Sequence, residues 1–310
     1  MSENRIVRPL DMPVPTRENT AAVVVLYFPD GDLFSRMHRV LAQVGRLIVI
    51  ANDRVGKQRL DHSYSEVTTY IENSRNDGLA AALNQGLLQA RQQGFAWCLL
   101  LDQDTLVDEN LMRGLASTFD AFPMRERIGL LVPNYRSPGG GRTAYRTDVV
   151  WQTVATAVTS GSLVPLAVID RVGGMLEQFF IESIDLEFCL RAGAVGLLVV
   201  ASGQPLMTHG AGNAEERRFL GRKVLVSHHP PWRCFLQYRN LTWTMRRYFL
   251  SDPWWVAKST CAMIKRIILV LVFEKYRYTK LKALFRGMAF GISGNLDNKD
   301  ILLVTFEGQK

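Results

Sequence analysis

The residues best suited to chemistry stand at the end of one apolar run. Ala96-Trp97-Cys98-Leu99-Leu100-Leu101 leads into Asp102-Gln103-Asp104-Thr105. The run reads as a buried parallel strand. Its C-terminal end, where open α/β sheets bind their ligands, delivers two carboxylates. Two apart in an extended segment, Asp102 and Asp104 would share a face. Hard oxygen donors in that place suit Mg²⁺ or Mn²⁺ carrying a diphosphate, whose charge the carboxylates alone would repel. A solvated acidic turn would carry the same triplet without any ion.

Three further stretches can contribute. Thr159-Ser160-Gly161-Ser162 lies between apolar runs, where small residues let the backbone approach a ligand. Phe179 to Arg191 places Glu182, Asp185 and Glu187 among apolar neighbours. On a helix, Asp185 would lie one turn from Glu182 and on a different face from Glu187. A carboxylate against apolar surroundings can serve as a base, and the same residues would also suit the positive end of a helix dipole. Leu206-Met207-Thr208-His209-Gly210 ends an apolar strand with one histidine, a residue that is more often structural than a ligand when alone. The chain has no Gly-x-Ser-x-Gly elbow, so nothing points to a nucleophilic serine.

The elements that must position these residues follow from periodicity. Residues 21–28 form an apolar strand stopped by Pro29-Asp30-Gly31. Leu33 to Val44 has helical spacing with Gly45 as its stop. Leu47 to Ile50 is a second strand, closed by the polar turn Ala51-Asn52-Asp53-Arg54, and Val67 to Ile71 is a short third. Asn73 to Gly78 opens a helix with Leu79, Leu83, Leu87 and Ala90 on one face, and the 97–101 strand follows. This β-α-β-β-α-β order predicts an α/β sandwich that begins with a nucleotide-binding half. Asp108 to Phe119 reads as a helix capped by Asp108, and Ile128 to Val132 as another strand. Pro138-Gly139-Gly140-Gly141 reads as a turn, since no helix follows to hold a phosphate.

The chain of 310 residues, 47% hydrophobic, can hold one large or two modest domains. Its four cysteines, Cys98, Cys189, Cys234 and Cys261, form no Cys-x-x-Cys pair, which argues against a zinc site or disulfide framework and fits a reducing compartment. Met1 to Glu18 is polar and lacks an apolar signal-peptide core, so the expected location is cytoplasmic. Net charge is +8, but residues 211–310 hold 18 Lys+Arg against 7 Asp+Glu, leaving the remainder slightly acidic. That basic third points to an anionic partner. Its longest uncharged apolar run, Ile267 to Phe273, falls far short of the about 20 residues a membrane span needs. Trp254-Trp255 and eight Lys/Arg from Lys258 to Arg286 suit a helix lying on a membrane surface, or a packed helix pair with a basic face. No nucleic-acid-binding motif accompanies the charge.

Together these motifs resemble the family 2 glycosyltransferases, which have the GT-A fold. Within that family the chain is most similar to bacterial rhamnosyltransferases of O-antigen and capsular polysaccharide synthesis. The resemblance runs from about Ala21 to Tyr248. It rests on the order of Asp102-Gln103-Asp104, Ser160-Gly161-Ser162, Gly173-Gly174-Met175-Leu176-Glu177, Phe180 to Glu187, and His209. Asn76 to Gly86 looks like the family's nucleotide-side helix, and Tyr238-Arg239-Asn240 with Arg246-Arg247-Tyr248 looks like the rhamnosyltransferase C-terminal signature.

The resemblance implies a metal-dependent inverting transfer, with L-rhamnose leaving dTDP-L-rhamnose for a lipid-linked or growing surface polysaccharide. Asp185 would be the base, with Glu182 and Glu187 as supporting acids. Asp104 and His209 would hold Mg²⁺ or Mn²⁺. Tyr27, Asn52, Asp53, Asn76, Gly78, Asn84 and Asp102 would face the donor, and Ser160, Gly161 and Ser162 the acceptor. The implied division is a polar extension over 1–20, a GT-A core over 21–212, and a basic helical region over 213–310 that is able to sit on the inner membrane's cytoplasmic face. The family's usual Asp-Asn after the second strand is Ala51-Asn52-Asp53 here, which leaves the donor open to a UDP-hexose or UDP-galactofuranose. A non-catalytic sugar-nucleotide-binding scaffold subunit is the reading from another class.

Overall fold

The computed structural model describes residues 10–53, 66–137, 143–210, 215–219 and 221–298. The glycine turn expected over 138–141, residue Arg54 and the first nine residues of the polar start lie outside them. The chain divides into two compact units. One comprises Met1–Glu177 and Ile184–Gly210, the other Gln178–Ser183 and Ala211–Lys310.

In the first unit, β1 (Thr20–Leu26), β2 (Arg46–Ala51) and β4 (Trp97–Asp102) are near-continuous apolar runs. Strands covered on both faces need that pattern. With β3 (Thr68–Glu72) they make a parallel group ordered β3-β2-β1-β4, connected through α1 (Leu33–Leu41) and α2 (Leu79–Gln92). The sheet becomes mixed beyond β4, where β8 (Ser162–Pro165) pairs antiparallel with it. It continues through β6 (Ile128–Arg136) and β9 (Leu198–Thr208) to the short β5 (Leu106–Val107), with β7 (Trp151–Val154) also on β9. Helices α3 (Leu111–Ala121), α4 (Leu166–Val172) and α5 (Ile184–Ala194) complete the unit. Leu33, Met37, Val40 and Leu41 of α1 pack into one core with Leu99 and Leu101 of β4 and Leu115 and Phe119 of α3. The expected mixed α/β architecture is the one observed.

Two local expectations fail. Helix α1 stops at Leu41 rather than Val44, and Gly45 instead donates its N–H to the Thr20 carbonyl at 2.9 Å. Asp108 does not cap α3. Asn110 occupies that position, and the Asp108 carboxylate pairs with Arg136 at 2.9 Å, because a guanidinium within reach is a stronger partner than a backbone amide.

The second unit holds the hairpin of β10 (Glu215–Phe219) and β11 (Arg222–Val226) and three helices, α6 (Pro231–Tyr248), α7 (Pro253–Phe273) and α8 (Arg277–Ser293). A Cβ on Gly291 of α8 would stand 2.5 Å from the Arg239 carbonyl of α6, so glycine there permits close approach of the two backbones. The turn from α7 to α8 is closed by buried Glu274. It accepts from Lys280 at 2.7 Å, with Arg266 at 3.2 Å as an ion pair.

Candidate active site

Polar residues of the first unit gather where β1, β2 and β4 end. Asn52, 4% exposed, donates to the Gly78 carbonyl at 3.1 Å and accepts from Asn73 at 2.8 Å. Gln85 of α2 exchanges bonds with Asn73 at 3.0 and 3.2 Å, and Asn76 accepts the Gly78 N–H at 2.9 Å. These bonds tie the end of β2 to the start of α2. The Asp53 carboxylate accepts the Phe28 N–H. Gln103 clasps the Tyr27 backbone, accepting its N–H at 2.8 Å and donating to its carbonyl at 3.1 Å, while the Tyr27 residue stays 43% exposed. Asn84 is engaged elsewhere, with its amide exchanging bonds with the Met175 backbone at 2.7 and 2.9 Å and donating to Glu177 at 2.8 Å.

Asp102 is the last residue of β4, but Asp104 is not on an extended segment. It lies in a turn closed by the Thr105 N–H on the Asp102 carbonyl at 3.2 Å, so strand alternation does not set the two carboxylates' directions. Ser160, 1% exposed, accepts the Asp102 N–H at 3.2 Å and shares a hydrogen with the Thr105 hydroxyl. The next residue back, Thr159, donates its N–H to Asp185 Oδ2 at 3.2 Å, and Asp185 Oδ1 accepts from Leu186 N–H at 2.8 Å. The Asp102 backbone is therefore tied through Ser160 and its chain neighbour Thr159 to Asp185. Ser160 and Ser162, expected to line the acceptor side, are buried, and Ser162 Oγ donates to the Val158 carbonyl at 2.6 Å. Gly161 between them has φ 79°, and a Cβ there would stand 2.7 Å from Met207 Sδ.

His209 follows β9 and donates its N–H to the Arg136 carbonyl at 3.1 Å. Burial pushes its imidazole below the usual histidine range, and the charge of Asp104 opposes that shift. The ring meets Tyr135 edge-on at 5.5 Å. Tyr135 in turn is pushed up by burial and by the charge of Asp185. Among the described residues no three His, Cys, Asp or Glu side chains converge. A carboxylate and a neutral imidazole nevertheless fit Mg²⁺ or Mn²⁺ whose other positions are filled by diphosphate oxygens and water, the usual arrangement for these ions on phosphate substrates.

Residues 38–150 match the model of the family described as Glycosyl transferase family 2. This segment is a family 2 glycosyltransferase domain. The chain is 24% identical over 248 residues to the dTDP-rhamnosyl transferase RfbF of Shigella flexneri, covering 74% of this chain and 80% of that protein. It is 26% identical over 259 residues to the galactofuranosyltransferase GlfT1 of Mycobacterium tuberculosis, covering 76% and 83%. In fold it is similar to residues 1–349 of TarS from S. aureus, crystallised with UDP-GlcNAc, at a TM-score of 0.56 and 11% identity over 94% of this chain and 92% of that one. Against a longer TarS chain the TM-score is 0.53, and only 44% of that chain is covered. The likeness shows the GT-A fold.

The family 2 domain match covers Tyr135, Tyr145 and Gln103, which sequence reasoning had not assigned. Gln103 stood inside the acidic triplet, but nothing local marked its side chain as a clasp, and the two tyrosines belong to no motif. Their rings lie 6.2 Å apart, and burial raises both hydroxyls, with the charge of Asp185 adding to the shift. Glu187 is 2% exposed and held by Arg191 through contacts of 2.8 to 3.2 Å. Glu182 departs from the expected helix. Helix α5 begins at Ile184, Glu182 has φ 72°, and its carboxylate belongs to the second unit, where it pairs with Arg233. Helical periodicity could not foresee this, because left-handed residues interrupt it. Cys98 and Cys189 are buried thiols pushed up by desolvation, Cys189 to about 12, and so are inert as nucleophiles.

Proposed function

We propose that the chain is a metal-dependent, inverting glycosyltransferase that moves L-rhamnose from dTDP-L-rhamnose onto a hydroxyl of a lipid-linked or growing surface polysaccharide. The observation that carries this reading is the run of contacts from Asp102 through Ser160 and Thr159 to Asp185. It ties the backbone at the end of the acidic strand to the loop whose Thr159 N–H holds the Asp185 carboxylate. Asp185 removes the proton from the acceptor hydroxyl as that oxygen forms its bond to the anomeric carbon. The bond from that carbon to the diphosphate breaks on the opposite side, and the nucleoside diphosphate departs with the electron pair. Asp104 and His209 are the residues to hold Mg²⁺ or Mn²⁺, which when bound neutralises charge on the leaving diphosphate. Tyr27, Asn52, Asp53, Asn76, Gly78 and Asp102 stand on the donor side, with Asn52 and Asp53 acting mainly through the loops they tie.

The 24% identity to a dTDP-rhamnosyl transferase supports the rhamnosyl donor, while the 26% identity to a galactofuranosyltransferase supports UDP-galactofuranose as a second reading. A membrane-surface acceptor is supported by α7. Trp254, Ile264, Ile268, Leu271 and Val272 are exposed on it, with Lys258 over the Trp254 ring at 5.3 Å. No helix of the described residues is long and apolar enough to cross a membrane. A cytoplasmic protein held peripherally at the inner membrane fits both features.

Calorimetry of dTDP-rhamnose, UDP-galactofuranose and UDP-glucose, with and without Mn²⁺, tests the reading. Metal-dependent binding of the dTDP sugar, abolished in Asp104→Ala and retained without turnover in Asp185→Asn, is the expected result. Preference for a UDP sugar would replace the donor. Binding of a sugar nucleotide without turnover by the wild-type chain would leave the sugar-nucleotide-binding scaffold subunit as the better account, and absence of binding by folded protein would refute both.

A further inference from the structure

The segment that leads into α5 is held in an unusual conformation. Phe180, Glu182 and Ser183 have φ of 61°, 72° and 60°, a left-handed backbone that side chains other than glycine adopt only when their surroundings over-determine it. Those surroundings are provided by α6. Asn240, fully buried, directs its amide nitrogen at the carbonyls of Phe179, Ile181 and Glu182 at 3.0, 2.9 and 2.9 Å. Its oxygen accepts from Arg239 Nε at 3.0 Å, so both ends of the amide are engaged. Arg239, also fully buried, donates to the Gln178 carbonyl at 2.7 Å and to Asn298 at 2.9 Å. Arg233 pairs with the Glu182 carboxylate, and Phe179 meets Trp243 edge-on at 5.6 Å. Gly291 of α8 permits the close packing that backs Arg239.

A segment serving only as a connector could relax into ordinary turns, and one buried asparagine would not need to reach three carbonyls of the same turn. The chain enters α5 at Ile184, directly after the last left-handed residue, and Asp185 is the next position. We propose that Arg239 and Asn240 are positioning residues for sugar transfer. By holding Gln178–Ser183 in its left-handed turn, they fix the main-chain conformation that leads directly into Ile184 and Asp185. The proposal rests on Asp185 as the base. It also gives a physical task to the Tyr238-Arg239-Asn240 motif, which the sequence marks only by likeness.

The test uses the full chain with Asn240→Ala and Asn240→Asp, the second being isosteric but unable to donate. Amide hydrogen exchange over Phe180–Leu186 and steady-state turnover of dTDP-rhamnose and UDP-galactofuranose are both measured. Exchange in that segment should accelerate about tenfold or more while β1 and β4 stay protected. The kcat should fall about a hundredfold, the order expected when a reacting group is misplaced by about an ångström, with donor KM changed less than about twofold. Arg233→Gln, whose guanidinium is partly exposed, should show the same pattern more weakly, and it keeps the test open if the Asn240 variants do not fold. Accelerated exchange with kcat unchanged would overturn the proposal, as would loss of protection throughout β1 and β4 or a parallel rise in KM. A wild-type chain that turns over neither donor refutes the transferase reading instead, and the exchange data then decide the clamp alone.

Discussion

Replacing Arg191 with methionine tests what the buried carboxylate of Glu187 does. The Arg191 guanidinium meets Glu187 at 2.8, 3.0 and 3.2 Å and also donates to the Val172 and Gly174 carbonyls at 2.6 and 2.8 Å. Glu187 is 2% exposed, so removing its partner strands a charge away from water. Breaking such a pair costs about 3–5 kcal/mol. For a unit of this size that lowers the melting midpoint by about 6–20 °C. Changing both residues, Glu187→Met with Arg191→Met, removes the stranded charge and should recover most of the loss. It should remain about 1–2 kcal/mol short because the two carbonyls lose their donor. Urea unfolding of wild type, both single variants and the double variant gives the coupling energy directly. A single-variant cost below about 1 kcal/mol, or simple additivity of the two changes, would refute the reasoning. Turnover measured where all four proteins are folded separates structure from chemistry. A stable double variant that retains transfer makes Glu187 an ion-pair partner, whereas one that has lost it makes Glu187 a reacting group.

Two further predictions concern the second unit. Burial holds the His229 imidazole down to about 4, helped by Arg233 and Arg266 and opposed by Glu182 and Glu274. Its unfolded value is 6.5, so the unfolded chain takes up the proton first, and the stability it contributes is complete above pH 6.5 and lost as pH falls toward 4. Urea midpoints for His229→Gln should vary less across that window than those of wild type, and equal losses would refute the assignment. On α7, the exposed Ile268 and Val272 with the basic residues around them should carry the chain onto phosphatidylglycerol-containing vesicles but not onto neutral phosphatidylcholine. Ile268→Asp with Val272→Asp should lower the sedimented fraction about tenfold or more, through lost apolar burial and added negative charge, and unchanged binding would argue for another occupant of that face.

The legible parts of this protein are the ones whose signals are local. Apolar runs at residues 21–28, Leu47 to Ile50 and Trp97 to Leu101 read as buried strands because parallel strands are covered on both sides. The structure ends the first at Leu26 and extends the second to Ala51. The helical spacing from Leu79 to Ala90 announced α2 in the same way. Asp108 failed as a cap because its true partner, Arg136, is 28 positions away and a cap rule sees only the next turn. Glu182 failed as a helical residue because three left-handed positions break the period on which the expectation relied.

By itself, the sequence determined the alternation of strands and helices and offered Asp102, Asp104, Asp185 and His209 as candidates for chemistry. Only the tertiary structure decided how they are joined. Ser160 reaches Asp102 across 58 positions, Asn84 reaches Met175 across 91, and Asn240 reaches Glu182 across 58. A hydrogen bond depends on distance and angle in space, and buried polar groups must find such partners wherever the fold brings them. Residue type supplies the donors and acceptors, and packing chooses which of them meet.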